Sequence, residues 1–266
     1  MRTTPDPNAA VLDATNVTMA FGGLTAVSDF TLSMRPRELV GLIGPNGAGK
    51  TTIFNMLTGV YKPTRGEIRI GGAPTAALKP HEITALGVAR TFQNIRLFKE
   101  LSVIDNVKIG GHIHDGYSTV AAVLQTSRFR EAEQRADGEA VALLEIFGLA
   151  GRRNTESRNL PYGDQRRLEI ARALASRPRV LLLDEPAAGL NDRETHDLME
   201  TIHAIRDRFQ IAILLIEHNM ELVMGICERI QVLSFGKTIA HGRPEEVRAN
   251  PVVIEAYLGE PAGVEP

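Results

Sequence analysis

The stretch that decides the fold is "LVGLIGPNGAGKTTIFNML", Leu39 to Leu57. Leu39 to Gly44 is a continuous apolar run, the pattern of a strand buried on both faces. From Lys50 to Leu57 the pattern becomes helical. Between them "GPNGAGKTT", Gly44 to Thr52, fits GxxxxGK[ST] in the strand–loop–helix setting that gives this motif its meaning. The glycines let backbone N–H groups turn inward around phosphate oxygens. The helix start adds positive dipole at the same point. The expected phosphate-binding set is Gly44, Pro45, Asn46, Gly47, Ala48, Gly49, Lys50, Thr51 and Thr52. Lys50 supplies a point charge to the β- and γ-phosphates, and Thr51 a hydroxyl to Mg²⁺.

Two further apolar runs read as buried strands: "VLLLDEP", Val180 to Pro186, and "IAILLI", Ile211 to Ile216. "ETHDLMETIHAIRDRF" between them is an amphipathic helix with Leu198, Met199, Ile202, Ile205 and Phe209 on one face. Buried strands alternating with helices predict a parallel α/β core. From Val11 to about Met34 apolar and polar residues alternate around Gly22–Gly23, which reads as short antiparallel strands. "GEIRIGG", Gly66 to Gly72, is another alternating strand, and "IQVLSFGKTIAHG" a hairpin turning at Phe235–Lys237. Strand signals fade from about residue 90 to 175, where Ala140, Leu143, Leu144 and Phe147 recur at helical spacing. The expected class is α/β, a P-loop NTPase. It has a mostly parallel core sheet, a flanking antiparallel β-subdomain and an inserted helical subdomain.

The bulk composition fits this reading. The chain has 266 residues, 43% of them hydrophobic, enough for one large core. Thirty basic and 32 acidic residues leave a net charge of −2, with no basic excess pointing to nucleic acid. The single cysteine, Cys227, excludes an intramolecular disulfide framework and reads as a small buried apolar residue. No apolar run approaches the ~20 residues of a membrane span. No secretory signal core precedes the first strand. These features predict a soluble intracellular chain.

"VLLLDEP" ends a strand in two carboxylates, at the sheet edge where α/β proteins bind ligands. Asp184 is suited to hold Mg²⁺ through its waters. Glu185 is suited to polarise a water attacking the γ-phosphate. Adjacent carboxylates with different tasks suit nucleotide hydrolysis.

With both motifs in place, the chain resembles the nucleotide-binding subunit of an ATP-binding-cassette (ABC) transporter from about Leu12 to Gly259. The resemblance implies one ABC ATPase domain over residues 11–259. Its helical subdomain spans about 95–175, and flexible tails cover 1–10 and 260–266. Phe21 falls where the family stacks an aromatic on adenine. Gln93, in "RTFQNIRLF", matches the glutamine loop that joins the Mg²⁺ shell. Arg96, Leu97 and Phe98 fall where coupling helices of membrane subunits dock. His218, in "LLIEHNMELV", matches the switch histidine that contacts the γ-phosphate. "AAGLN", Ala187 to Asn191, matches the loop that crosses the cassette dimer, with Ala188, Gly189, Leu190 and Asn191 as its interface residues. Asn191, with Glu194 three residues on, reads equally as a helix cap.

The family's LSGGQ signature, which acts on the partner cassette's ATP, becomes "LPYGDQ" here: Leu160, Pro161, Tyr162, Gly163, Asp164, Gln165. Pro161 offers neither hydroxyl nor N–H. Asp164 favours the helix start yet adds negative charge near a triphosphate. Arg166 and Arg167 read as a solvated helix face. The segments "YGDQRRLEIARAL", "DEPAAGLN", "VIEAYLGE" and the stretch between Gly110 and Arg135 resemble the larger ATPase subunit of branched-chain amino-acid importers.

That resemblance implies an ATPase using ATP and Mg²⁺, with Thr51, Gln93 and Asp184 organising the metal and Glu185 and His218 catalytic. Its implied partners are a second cassette (a copy or a paralogue), two permease subunits and, indirectly, an extracytoplasmic solute-binding protein, with no nucleic acid. Its implied location is cytoplasmic, peripheral on the inner face of the plasma membrane. The alternatives are an ATPase for urea or short-amide import or for lipopolysaccharide export, a non-transport ABC ATPase, and a regulatory nucleotide-binding module.

Overall fold

The computed structural model describes residues 9–114 and 123–258. Most of both expected tails, and part of the stretch between Gly110 and Arg135, lie outside the described residues. The chain divides into two compact units. One runs to Val88 and resumes at Arg179; the other is Ala89–Pro178.

The first unit holds two sheets. Strands β1 (Leu12–Phe21), β2 (Leu24–Met34), β4 (Arg65–Ile70) and β5 (Ala73–Pro74) form an antiparallel sheet ordered β2-β1-β4-β5. The two N-terminal strands are long rather than short, at 10 and 11 residues. Register shifts along β1 keep them paired. Such bulges let a long strand bend without losing its partner, and they blur the alternation on which the sequence reading relied.

The second sheet is built on β3 (Leu39–Ile43), β7 (Val180–Asp184) and β8 (Ala212–Ile216). Every residue of these three strands is buried, as continuous apolar runs require. Strand β9 (Arg229–Ser234) pairs in parallel with β3, and β10 (Lys237–Gly242) closes the edge antiparallel to β9. The order is β10-β9-β3-β8-β7, and β6 (Val88–Arg90) begins at the far edge. Gly87, just before it, accepts the amides of Arg179 and Val180.

Helix α1 (Lys50–Leu57) lies in one core with both sheets. Ile53, Phe54 and Leu57 cluster there with Phe30 and Met34 of β2 and with Val40, Leu42 and Leu214. Each such side chain contributes about 1.5–3 kcal/mol by leaving water. The phosphate loop is thereby seated on two sheets at once. Helix α6 (Asp192–Phe209) buries Leu198, Ile202 and Ile205, three of the five residues expected on its apolar face. Met199 and Phe209 are half-buried. Short helices α2 (Pro80–Ala85), α7 (Met220–Ile226), α8 (Pro244–Arg248) and α9 (Pro251–Leu258) complete the unit. Cys227 is buried, and that burial raises its thiol pKa, as an inert core position should.

The second unit packs α3 (Val103–Gly111), α4 (Ser127–Ile146) and α5 (Tyr162–Ala175) together. Ala140, Leu143, Leu144 and Phe147 are buried, as their spacing predicts. No helix among the described residues is long and apolar enough to cross a membrane.

Candidate functional site

Strand β8 lies between β3 and β7, so their C-terminal ends open side by side. The loops after these three strands carry the expected phosphate loop, the paired carboxylates and His218.

After β3 the chain turns at Gly44, whose φ is +150°. A Cβ there would lie 2.1 Å from the Leu233 carbonyl oxygen, so only glycine fits. Gly49, at φ +104°, is the N-cap of α1 and supplies no side chain to occupy the first-turn N–H groups. The loop is braced from outside: the Gly236 amide donates to the Ala48 carbonyl at 3.0 Å. Lys50 is buried and folds back over the loop, donating to the carbonyls of Gly44 (2.6 Å) and Pro45 (3.0 Å). Burial lowers its pKa, while Glu185 and Asp184 pull it back up. The Thr51 hydroxyl belongs to an exposed residue on the first turn of α1.

Asp184 is the last residue of β7 and is buried. Glu185 follows with φ +47°, a left-handed conformation that costs a non-glycine residue about 1–3 kcal/mol. Its amide donates to the Ile216 carbonyl at 2.8 Å, which holds the strained residue in place. His218 Nε2 lies 3.1 Å from Glu185 Oε1, so the hydrogen of that bond sits on Nε2 when Glu185 is ionised. His218 remains 39% exposed at its side chain. Phe21 is also exposed, and the Tyr61 ring meets it edge-to-face at 5.2 Å, fixing its plane. Asn191 is the N-cap of α6 and forms a full capping box with Glu194, both bonds at 3.0 Å.

In the other unit, α5 begins at Tyr162 with Pro161 as a cap that accepts no side-chain bond. The first helical bond is Gln165 N–H to the Pro161 carbonyl, at 2.9 Å. Asp164 is paired with Arg152 at 2.8 Å and lies 3.8 Å from Arg167. Its charge is therefore countered locally and adds less repulsion toward a phosphate than the bare sequence suggests. Arg166 corrects another expectation: it is 1% exposed, not on a solvated face. It donates to the carbonyls of Phe92 (2.8 Å) and Gln93 (3.0 Å), to the Tyr162 hydroxyl (2.9 Å) and to Glu169 (3.2 Å). Glu169, equally buried, accepts the Arg96 amide at 3.1 Å. The signature helix thus holds the glutamine loop by its backbone. Arg172 stacks over Phe98, with its guanidinium carbon 5.6 Å from the ring centroid. The sequence reading singled out neither Tyr61, Glu169 nor Glu217. Each acts on a partner remote in the chain, a pairing that periodicity does not register.

Residues 27–188 match the family model described as ABC transporter. The chain belongs to the ABC transporter family. It is an ABC ATPase of that family, one of its ATP-binding cassettes. Residues 237–263 match a second model, described as branched-chain amino acid ATP-binding cassette transporter. The chain is 50% identical, over 94% of its length and 98% of the relative's, to the high-affinity branched-chain amino acid transport ATP-binding protein LivG of Salmonella typhimurium. It is 38% identical, over the same shares, to the lipopolysaccharide export system ATP-binding protein LptB of Escherichia coli K12. Among solved structures it is similar to a nucleotide-free ATP-binding cassette from an ABC transporter. The TM-score is 0.81 at 28% identity, covering 94% of this chain and all of that one.

Proposed function

We propose that this cassette drives uptake of branched-chain amino acids, as one of two cassettes coupled to a pair of permease subunits on the inner face of the plasma membrane. One observation carries the solute class: identity to the branched-chain relative is 50%, against 38% to the lipopolysaccharide-export relative of equal coverage.

The residues present suit a bound MgATP. Among the described residues no cluster of three His, Cys, Asp or Glu side chains forms a metal cage. Mg²⁺ with nucleotides characteristically needs none, taking one or two protein oxygens and completing its shell with phosphate and water. The buried Asp184, whose charge raises the Lys50 pKa, and the hydroxyl of the exposed Thr51 are such oxygens. Gln93 is assigned to the same shell by its place in the glutamine loop. When bound, the metal neutralises charge developing on the β- and γ-oxygens.

The chain's own groups do the rest. Lys50 exchanges the Gly44 and Pro45 carbonyls for phosphate oxygens. Glu185 orients the attacking water and accepts its proton, while the His218 Nε2 hydrogen holds Glu185 and the γ-phosphate in register. Phe21 offers its face to adenine. The first-turn amides of α5, from Tyr162 to Asp164, face the partner cassette's γ-phosphate. Ala188, Gly189, Leu190 and Asn191 line the contact between the cassettes. Closure over two nucleotides pulls on permease helices docked around Arg96, Leu97 and Phe98, and hydrolysis releases them.

The test is transport. The chain is reconstituted in proteoliposomes with the permeases and second cassette that co-purify with it, and a solute-binding protein is supplied. ATP-dependent accumulation of labelled leucine, isoleucine or valine is the expected result. Accumulation of urea or short amides and of none of the three would overturn the solute assignment.

A further inference from the structure

Glu217 is a buried carboxylate to which the hydrolysis scheme gives no task. It lies between the last residue of β8 and His218, and only 3% of it is exposed. Its two oxygens face different loops. Oε1 accepts the amide of Ala187 at 2.7 Å, from the loop after β7. Oε2 accepts the amides of His218 at 2.9 Å and Asn219 at 3.2 Å, from the loop after β8. A carboxylate is the one side chain that can accept at both ends at once and stay short enough to be buried here. Charge-assisted bonds to backbone N–H are also the stronger kind.

The position of these bonds gives them their meaning. Glu185 and His218 sit on the same two loops and meet at 3.1 Å. The loops are joined on one side of that pair by the Glu185 amide and the Ile216 carbonyl, at 2.8 Å. Glu217 joins them a second time, through its bond to the Ala187 amide. Ala187, which it holds, is followed directly by Ala188–Asn191, the residues assigned to the contact between cassettes. Asn219, which it also holds, caps α7 by accepting the Leu222 amide at 3.0 Å. The strut therefore ties the start of the loop assigned to the inter-cassette contact to the His218 backbone and to the cap of a helix.

We infer that Glu217 is a positioning residue for hydrolysis: it fixes the spacing of Glu185 and His218 and makes that spacing depend on where the partner cassette sets residues 187–191. This rests on the hydrolytic reading of Glu185 and His218. A bond of this kind has little bearing on phosphate affinity, because Lys50 and the phosphate-loop amides, the groups assigned to grip the phosphates, lie on another segment. Its loss should appear in kcat and not in KM. A misplacement of the order of 1 Å at the reacting groups costs about 10²-fold in rate.

The experiment compares Glu217→Gln, Glu217→Asp, His218→Ala and the double variant Glu217→Gln/His218→Ala. Each is the full chain, purified with the transporter subunits that accompany it and assayed with MgATP. In Glu217→Gln an amide N–H faces a backbone N–H on one loop or the other. In Glu217→Asp the charge stays, but the side chain is one methylene too short to span both loops. The expected result is a kcat lowered about 10- to 100-fold in both single Glu217 variants, with KM for MgATP within about twofold. The melting temperature of Glu217→Asp should stay near that of the unaltered protein. In the double variant the losses should not multiply: it should turn over no more slowly than His218→Ala alone, since Glu217 acts through that residue. Unaltered kcat in both Glu217 variants beside an impaired His218→Ala overturns the inference alone. So do multiplicative losses in the double variant, or a loss expressed wholly as raised KM. Normal turnover in His218→Ala overturns the reading of the site and this inference with it.

Discussion

Helices α1 and α5 begin differently from α3, α4, α6 and α7. The latter four start on Ser102, Thr126, Asn191 and Asn219, and each side chain accepts a first-turn amide. Helix α1 starts on Gly49 and α5 on Pro161, with no side-chain cap on either. A cap satisfies an amide that would otherwise seek an oxygen elsewhere. Among the described helices, α1 and α5 are the two that the sequence reading assigns to phosphate, one on the chain's own nucleotide and one on its partner's. The short α2 and α8 start on proline and use Glu82 and Glu246 to bond back to the cap residue, so they belong with the structural group.

The two uncapped starts also differ from each other. At the start of α1 stands a cation, Lys50, bonded to the carbonyls of Gly44 and Pro45. Behind α5 stands Arg166, whose bonds to Phe92, Gln93, Tyr162 and Glu169 occupy it within its own unit. On the proposed function the first grips a ligand and the second holds a lid in shape. Lys50→Ala should therefore break the comparison most severely. Phosphate release from MgATP should fall by about 10² to 10³ with little change in thermal stability. Arg166→Ala should do the reverse in kind: it leaves Glu169 buried without its ion-pair partner, and a denaturant titration should show about 3–5 kcal/mol lost. Asn191→Ala removes a true cap and should cost about 1 kcal/mol by the same titration. Pro161→Ser tests the other side of the contrast. A serine there should add a fraction of a kcal/mol to about 1 kcal/mol, and turnover should match or exceed that of the unaltered chain. A collapse of turnover in a well-folded Pro161→Ser protein would show that α5 does not grip phosphate by its backbone alone.

The same contrast explains what the sequence discloses. That Lys50, Thr51, Asp184 and Glu185 fall just after β3 and at the end of β7 is legible because the motifs proposed to serve phosphate chemistry keep particular residue types at fixed local spacing. The three buried strands are legible because burial on both faces leaves an unbroken apolar run. The length of β1 and β2 is not, since register shifts after Ala14 and Val17 break the alternation a reader counts. Arg166 looks like any solvated arginine on a helix, because the carbonyls it caps lie 73 and 74 residues away. Glu217 is hidden for the same reason: its oxygens reach Ala187, 30 residues back. Asn191 is instructive in another way. Both of its readings rest on local sequence, and the structure bears out the cap through the bonds with Glu194.

The central claim is that Glu185, held strained against β8 and bonded to His218, performs hydrolysis on nucleotide gripped by the Lys50 loop. Glu185→Gln tests it most directly, with MgATP binding and phosphate release measured on the same preparation. The account predicts nucleotide affinity within about twofold of the unaltered protein. It predicts turnover lower by about 10² or more, the scale of a positioned general base. Phosphate release at the unaltered rate from a Glu185→Gln protein that still binds ATP would contradict it.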